Sequence, residues 1–373
     1  GESVGLFGSA RIDASGETSG GTVLIGGNFQ GGGAEHNATR SYIGSGASIS
    51  ADATGSGNGG KVIIWADDWT RFYGSIHARG GAQGGDGGFA EVSGKHNLAF
   101  WGDVNTSATL GRAGTLLLDP ENLNVVLDPA PDPVATVDAG VFSAPSLGTN
   151  DTYYVSASSL LGQSNYTLQA PGTVTFASSV AFNGVARNII TVIGGTGIVT
   201  RGSTISTKGA ALSLTAPTMI LGAITTNDGS AAGGSLSIDA SGPVTQLAAF
   251  TLGTGSLIKK GTGTLTLDQA NSYTGATTLN GGTIAVSNGA GLGTSAVQVD
   301  SGTTLYLDGV AGAPSSISIT GSGAGNGALL GNGTAAYAGA LTLSGAAAVG
   351  ATAGSTLTLG TINGGGAGSL TKL

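Results

Sequence analysis

The sequence predicts an all-β protein built as a right-handed parallel β-helix, a β-solenoid with Gly-rich turns, and three observations lead there. Short strands recur from one end of the chain to the other, glycine stands at most breaks between them, and helix-forming stretches are nearly absent. Glycine supplies 71 of 373 residues, while Asp, Glu, Lys and Arg make up 9%, far below the roughly 25% of an ordinary soluble domain. The chain is still 40% hydrophobic, so it has apolar surface enough to offset the entropy of ordering and is expected to fold.

The N-terminal third carries the clearest copies. A first strand reads Arg11-Ile12-Asp13-Ala14, then Ser48-Ile49-Ser50-Ala51, Ser75-Ile76-His77-Ala78 and Asp103-Val104-Asn105-Thr106, with Ile12, Ile49, Ile76 and Val104 stepping by 37, 27 and 28 residues. A second follows a small-residue step: Gly20-Gly21-Thr22-Val23-Leu24-Ile25, Gly59-Gly60-Lys61-Val62-Ile63-Ile64, Gly87-Gly88-Phe89-Ala90-Glu91-Val92 and Ala113-Gly114-Thr115-Leu116-Leu117-Leu118. A period of about 20 to 30 residues made only of strands and Gly turns suits coils that pair with the coils above and below. Apolar side chains then stack inside, and Gly at the corners allows sharp changes of direction.

Residues 119–190 are the least regular. Asp119-Pro120, Asp128-Pro129 and Asp132-Pro133 interrupt the pattern and Tyr153, Tyr154 and Tyr166 cluster, so this stretch reads as an irregular junction or protruding loop, with one short helical turn at 156–161. From 191 to 373 the grammar returns, as in Ile205-Ser206-Thr207 leading to Leu212-Ser213-Leu214 and Ile224-Thr225-Thr226 leading to Leu236-Ser237-Ile238, with Ile205 and Ile224 19 residues apart. Gly253-Thr254-Gly255-Ser256-Leu257-Ile258-Lys259 recurs as Gly366-Ala367-Gly368-Ser369-Leu370-Thr371-Lys372, after which the chain stops at Leu373. The expected organisation is therefore solenoid over 1–120, junction over 121–190 and solenoid over 191–373, ending inside a repeat. Gly1 carries neither initiator Met nor leader, so more sequence is expected before it.

Two resemblances follow from particular motifs. Gly59-Gly60-Lys61-Val62-Ile63-Ile64-Trp65-Ala66-Asp67, Thr70-Arg71-Phe72-Tyr73-Gly74, Gly88-Phe89-Ala90-Glu91-Val92-Ser93-Gly94-Lys95 and Gly114-Thr115-Leu116-Leu117-Leu118-Asp119-Pro120 resemble the repeats of filamentous-haemagglutinin-type exoproteins of two-partner secretion, over residues 1–120. Over about 250–310, Lys260-Gly261-Thr262-Gly263-Thr264-Leu265-Thr266-Leu267, Asn271-Ser272-Tyr273-Thr274-Gly275-Ala276-Thr277-Thr278, Asn280-Gly281-Gly282-Thr283-Ile284 and Gly291-Leu292-Gly293 resemble the passenger-associated transport repeat of autotransporters. Both families export a β-helical chain across the outer membrane of Gram-negative bacteria through a barrel, separate in the first and fused in the second. The resemblance implies an adhesin-like stalk at the cell surface or outside the cell. Its partners would be an outer-membrane translocator barrel and, beyond that, host or environmental glycans or surface proteins.

Composition narrows the chemistry. A net charge of −8 disfavours general attraction to nucleic acid or anionic lipid, and the absence of Cys removes disulfide and thiolate chemistry. No apolar run approaches the roughly 18 residues that would span a bilayer. Gly55 to Lys61 imitates a phosphate-binding loop, but Val62 replaces the required Ser or Thr and a strand follows; Gly1-Glu2-Ser3-Val4-Gly5 imitates a nucleophile elbow with no strand before it. Gly84-Gly85-Asp86-Gly87-Gly88 lacks the tandem copies of a calcium-binding repeat and reads as a turn, and His36 and His96 lack metal-ligand spacing.

Two constellations remain. Asp67 and Asp68 with His77 and Arg79 could serve a polysaccharide hydrolase or lyase, the alternative to the stalk, or could simply solvate a coil face. Trp65, Trp69, Phe72, Tyr73 and Trp101 form the main aromatic concentration and read either as stacking that closes the core or as a ligand-contacting stripe. The expectation is a non-enzymatic chain without cofactor or metal.

Overall fold

The computed structural model describes residues 1–126, 154–160, 164–182, 188–311, 316–364 and 368–373. The protein is an all-β parallel β-solenoid, 2% helical. Among the described residues no helix is long and apolar enough to cross a membrane. The chain forms two compact units, Gly1–Thr196 and Gly197–Leu373.

In the first unit each regular coil contributes three strands, not the two that the repeats announce. One ladder runs through Arg11–Asp13, Ser48–Ser50, Ser75–His77 and Asp103–Asn105, with Ile12 opposite Ile49, Ile49 opposite Ile76 and Ile76 opposite Val104. A second runs through Thr22–Ile25, Lys61–Ala66, Phe89–Gly94, Thr115–Leu118 and Asn165–Ala170, with Thr22 opposite Lys61, Lys61 opposite Phe89 and Phe89 opposite Thr115. These are the registers that the sequence copies predict. The third ladder, Ser3–Leu6, Arg40–Ile43, Trp69–Phe72 and Asn97–Phe100, has no shared sequence pattern because both faces of its later strands are buried, so the usual in–out alternation is missing.

Two coils exceed the expected period. The first is lengthened by residues 26–38, which leave the strand Thr22–Ile25 and cross the outside of the sheet before Arg40–Ile43 begins. The other separates Thr115 from its partner Asn165 and contains Asp119-Pro120. Within it Leu123–Val126 pairs with Tyr154–Ser156 and with Thr173–Phe176, and a 3-10 turn at Ala157–Leu160 lies where a helical turn was expected. Asp128-Pro129, Asp132-Pro133 and Tyr153, assigned by sequence to the junction, lie outside the described residues.

The second unit repeats the plan with shorter coils. Leu212, Leu236, Leu257, Thr277, Val297, Ile317 and Leu341 stand opposite one another in succession, and so do Met219, Val244, Leu265, Ile284, Leu305 and Leu329. Ile205 faces Ile224 in a further ladder, as the 19-residue step requires. Because strand side chains alternate, one residue in two points inward, and vertical stacks of Leu, Ile and Val fill each interior. Each buried aliphatic side chain contributes roughly 1.5–3 kcal/mol, and the stacks supply most of the stabilisation.

The Gly pairs have a specific task. The second glycine of each closes a corner by donating to the residue just after the preceding strand: Gly21 to Ala14 O, Gly60 to Ala51 O and Gly88 to Ala78 O, each at 2.7 Å. The first glycine lies so close to the following coil that a Cβ on Gly87 would sit 1.8 Å from Thr106 O and 2.4 Å from Gly114 N. Gly20 and Gly59 meet equivalent atoms of their own neighbours. Any side chain there forces two coils apart. Gly87→Ala should therefore destabilise the protein by about 3 kcal/mol, whereas Gly302→Ala, with open space around it but a φ of +82°, should cost only about 1 kcal/mol. Denaturant midpoints of the two variants check the ranking, and equal losses would refute the close-approach explanation.

Candidate functional site

The aromatic residues singled out from the sequence are packed against protein. Trp65 is 6% exposed, Trp69 1%, Phe72 0% and Tyr73 9%, with Trp101 half-buried. Phe72 stacks on Phe100 one coil on, with ring centres 5.3 Å apart and planes at 12°. Tyr73 lies between Tyr42 and Trp101 at 5.9 and 5.7 Å, and the Arg71 guanidinium covers the Trp69 ring at 4.5 Å. A sugar-stacking stripe needs open ring faces, and of these five only Trp101 retains appreciable exposure.

Nor do the acidic and basic residues converge. Asp67 accepts from Trp65 Nε1 at 3.0 Å and from Asn37 Nδ2 at 3.1 Å, and Asp68 pairs with Arg40 at 3.5 Å. Arg79 lies on another ladder's edge and holds Asp52 through Nε at 3.2 Å and a terminal nitrogen at 2.7 Å; that pairing keeps the Asp52 carboxyl below its usual range against the opposing effect of burial. His77 sits on the strand Ser75–His77, half-buried. Asp67, Asp68 and Arg79 thus each have a local partner, and no substrate-facing pair of carboxylates forms from them. Among the described residues no group of three or more His, Asp or Glu could hold a metal ion, and His96 instead approaches Glu121 at 3.4 Å.

The structure assembles a cluster that sequence reasoning missed. Residues 26–38 form a strap across the outward side of the second ladder, where Ile63, Trp65, Glu91, Ser93, Leu117 and Asp119 alternate with the inward stack. Asn28 starts it by accepting from Phe29 N at 2.7 Å and donating to Glu35 at 2.9 Å. Gly31, at φ +66°, lies on the Trp65 ring so closely that a Cβ would come within 2.6 Å of it. Gln30 adopts φ +52°, a conformation that costs a side-chain-bearing residue roughly 1–2 kcal/mol. In return its N–H points at Glu91, 3.1 and 3.2 Å from the two carboxylate oxygens, while its amide nitrogen donates to Asp119 at 2.6 Å.

Glu91 is fully buried. Loss of solvent pushes its carboxyl up to about 7, the Asp119 charge adds to the rise, and the Gln30 N–H and Ser93 oppose it. Asp119 is raised for the same first reason, burial. The strap therefore rests on two carboxyl groups of which one holds a proton near neutrality. Its signal in the sequence was the 37-residue first step against 27 and 28 for the next two.

In the second unit a further polar group lies inside the solenoid. Lys259 occupies the stack between Ile238 and Leu279 with no exposure, its ammonium donating to the carbonyls of Lys260, Gly261 at 2.9 Å and Gly281 at 3.3 Å. Burial lowers its pKa to about 8, and the charge of Asp239 opposes the fall. In the same region buried Asn271 accepts from Gln246 at 2.6 Å and Phe250 N at 2.8 Å and donates to Gly291 O at 2.7 Å. The buried Tyr273 hydroxyl meets Thr277 at 2.7 Å, and burial raises its pKa strongly.

This region is where a likeness to known proteins appears. Residues 257–286 match the passenger-associated-transport-repeat family. They begin at the strand Leu257–Lys260, end at Thr283–Val286 and include Lys259, Asn271 and Tyr273. No curated protein matches the chain. The match is consistent with an autotransporter passenger-type β-helix segment, in keeping with an exposed or secreted protein of Gram-negative bacteria and a linked outer-membrane translocator.

The Glu91 cluster gives a signed pH dependence. Its carboxyl holds a proton more tightly folded than unfolded, so its favourable contribution is complete below about 4.5 and is lost as pH rises towards about 7. Wild-type stability should fall through that window by something on the order of 2–3 kcal/mol relative to Glu91→Gln, which keeps the shape without the charge. Paired denaturant melts between these pH values check it, and parallel curves for the two proteins would show that Glu91 does not titrate in this way.

Proposed function

We propose that the chain is the shaft of a surface-attached or secreted adhesin-like exoprotein, a passenger segment that holds a binding tip away from the cell and has no catalytic role of its own. The observation that carries this reading is the stretch at residues 257–286, which matches a passenger repeat and turns its polar residues inward, Lys259 and Asn271 tying neighbouring coils together and Tyr273 bonding to Thr277 within its own coil. Residues that serve coil-to-coil bonding are what a shaft needs. The lack of Cys adds support, since an unfolded chain threading a barrel then carries no disulfide to block passage. The likeness of residues 1–120 to filamentous-haemagglutinin-type repeats favours a separate translocator barrel, and the passenger repeat favours a fused one.

The test is to express the complete reading frame with its translocator in a Gram-negative host and treat intact cells with protease. Extracellular cleavage of this segment is expected, and retention inside the outer membrane would contradict the proposal. The same material, incubated with acidic polysaccharides, should release no reducing or unsaturated sugar. Release abolished by Asp67→Ala would replace the shaft with an enzyme.

A further inference from the structure

The first unit carries a groove that neither the strap nor the core explains. It has a volume of about 930 Å³ and its floor is the Gly-pair corner, repeated over four coils at Gly20-Gly21, Gly59-Gly60, Gly87-Gly88 and Ala113-Gly114. With about 4.8 Å between paired strands, the floor extends roughly 14 Å along the stacking direction. The glycines that let coils approach also leave the surface without side chains there, so a channel follows directly from the packing rule.

The two walls differ. One is apolar: Phe29, on the strap, is 43% exposed and lies 5.9 Å from Phe89, with the Lys61 ammonium 5.6 Å from the Phe29 ring centre. Ile189, 53% exposed, continues it. Large apolar side chains left in water along a concave surface mark a place where something else lies. The opposite wall is polar. Arg112 holds Asp86 through two nitrogens at 3.1 and 2.7 Å, its side chain 89% exposed, and Asn58 accepts from Asp86 N at 2.8 Å. That leaves the Asn58 amide nitrogen without a hydrogen bond among the described residues.

The floor restricts what the occupant can be. The backbone N–H groups of Gly20, Gly21, Gly59, Gly60, Gly87, Gly88 and Gly114 all donate to carbonyls of the solenoid. An extended peptide recognises a sheet by pairing with free main-chain groups, and these seven glycine donors are all taken. Nucleic acid is disfavoured by the net charge of −8 and by a lining whose Arg112 is neutralised by Asp86. A ligand that offers ring faces to aromatic side chains and hydroxyls to amide, guanidinium and carboxylate groups fits both walls.

We infer that this groove is a binding site for a linear polysaccharide, lying along the glycine floor with sugar rings against Phe29 and Phe89 and hydroxyls towards Asn58 and the Arg112–Asp86 pair. The inference does not depend on the export route or on the proposed shaft, because a groove can bind sugar in the isolated chain. It also differs from cleavage, which the polysaccharide incubation above reads separately.

The experiment is calorimetric titration of the full chain with short linear oligosaccharides: neutral β-linked glucose, β-linked N-acetylglucosamine and a polyuronate. At least one should bind saturably, with affinity reduced at least ten-fold in Phe29→Ala and in Arg112→Ala and unchanged in Tyr306→Ala, an aromatic replacement in the second unit. Thermal midpoints identify a variant that has lost its fold; should Phe29→Ala do so, Arg112→Ala and Asn58→Ala decide. Failure of all three sugars to bind would overturn the inference, as would binding that ignores the groove variants. Preferential binding of an extended peptide in the groove would overturn it too.

Discussion

The approach of one coil to the next, at hydrogen-bonding distance and in a fixed parallel register, governs everything else in this protein. It requires that the corner before each long strand be almost free of side chains, which is why glycine pairs recur there and why a Cβ on Gly87 would overlap Thr106 O. Once the corners close, the strands line up and Ile49, Ile76 and Val104, or Leu236 and Leu257, fall above one another without further instruction. The hydrophobic stacks are a consequence of that spacing as much as its cause. The open groove above the glycine floor is another consequence.

Polar groups inside such a stack oppose the fold unless they are matched, and their matching fixes which coil sits where. A buried ammonium costs several kcal/mol if unpartnered. Lys259 meets that demand with three carbonyls from its own corner and the following one, an arrangement available only when Gly281 lies above Gly261. Asn271 likewise joins Gln246, Phe250 and Gly291 across successive coils. Aliphatic stacks alone tolerate sliding, because one Leu resembles another, whereas these side chains reject any slipped register. Glu91 and Asp119 act differently: they lie on the outward side and anchor the strap through Gln30.

Much of this architecture was legible in the sequence. The copies around Ile12, Ile49, Ile76 and Val104 and those beginning at Gly20, Gly59, Gly87 and Ala113 predicted strand, turn and register, since a repeated interior position must repeat its residue type. The ladder through Arg40–Ile43, Trp69–Phe72 and Asn97–Phe100 was not legible, because covering both faces removes the alternation that betrays a strand. The burial of Trp69 and Tyr73 was equally hidden, since aromatic clusters look alike whether they face solvent or protein. The strap was visible only as an overlong first repeat; nothing in the letters of Gln30 says that its N–H will meet a carboxylate 61 residues away. Asp67, Asp68 and Arg79 lie near one another in sequence, yet each is taken up by a different neighbour.

The central claim is the in-register stacking of coils, and the absence of native Cys allows it to be measured directly. Thr245 and Thr266 stand opposite each other on adjacent coils, Thr245 exposed and Thr266 half-buried. Paired strands lie about 4.8 Å apart, within the span a disulfide bridges. The double variant Thr245→Cys with Thr266→Cys should crosslink readily on mild oxidation of the folded protein. Thr245→Cys with Thr264→Cys, displaced by two residues along the same strand, should not. Efficient crosslinking of the displaced pair, or none in the matched pair, would contradict the register on which the account rests.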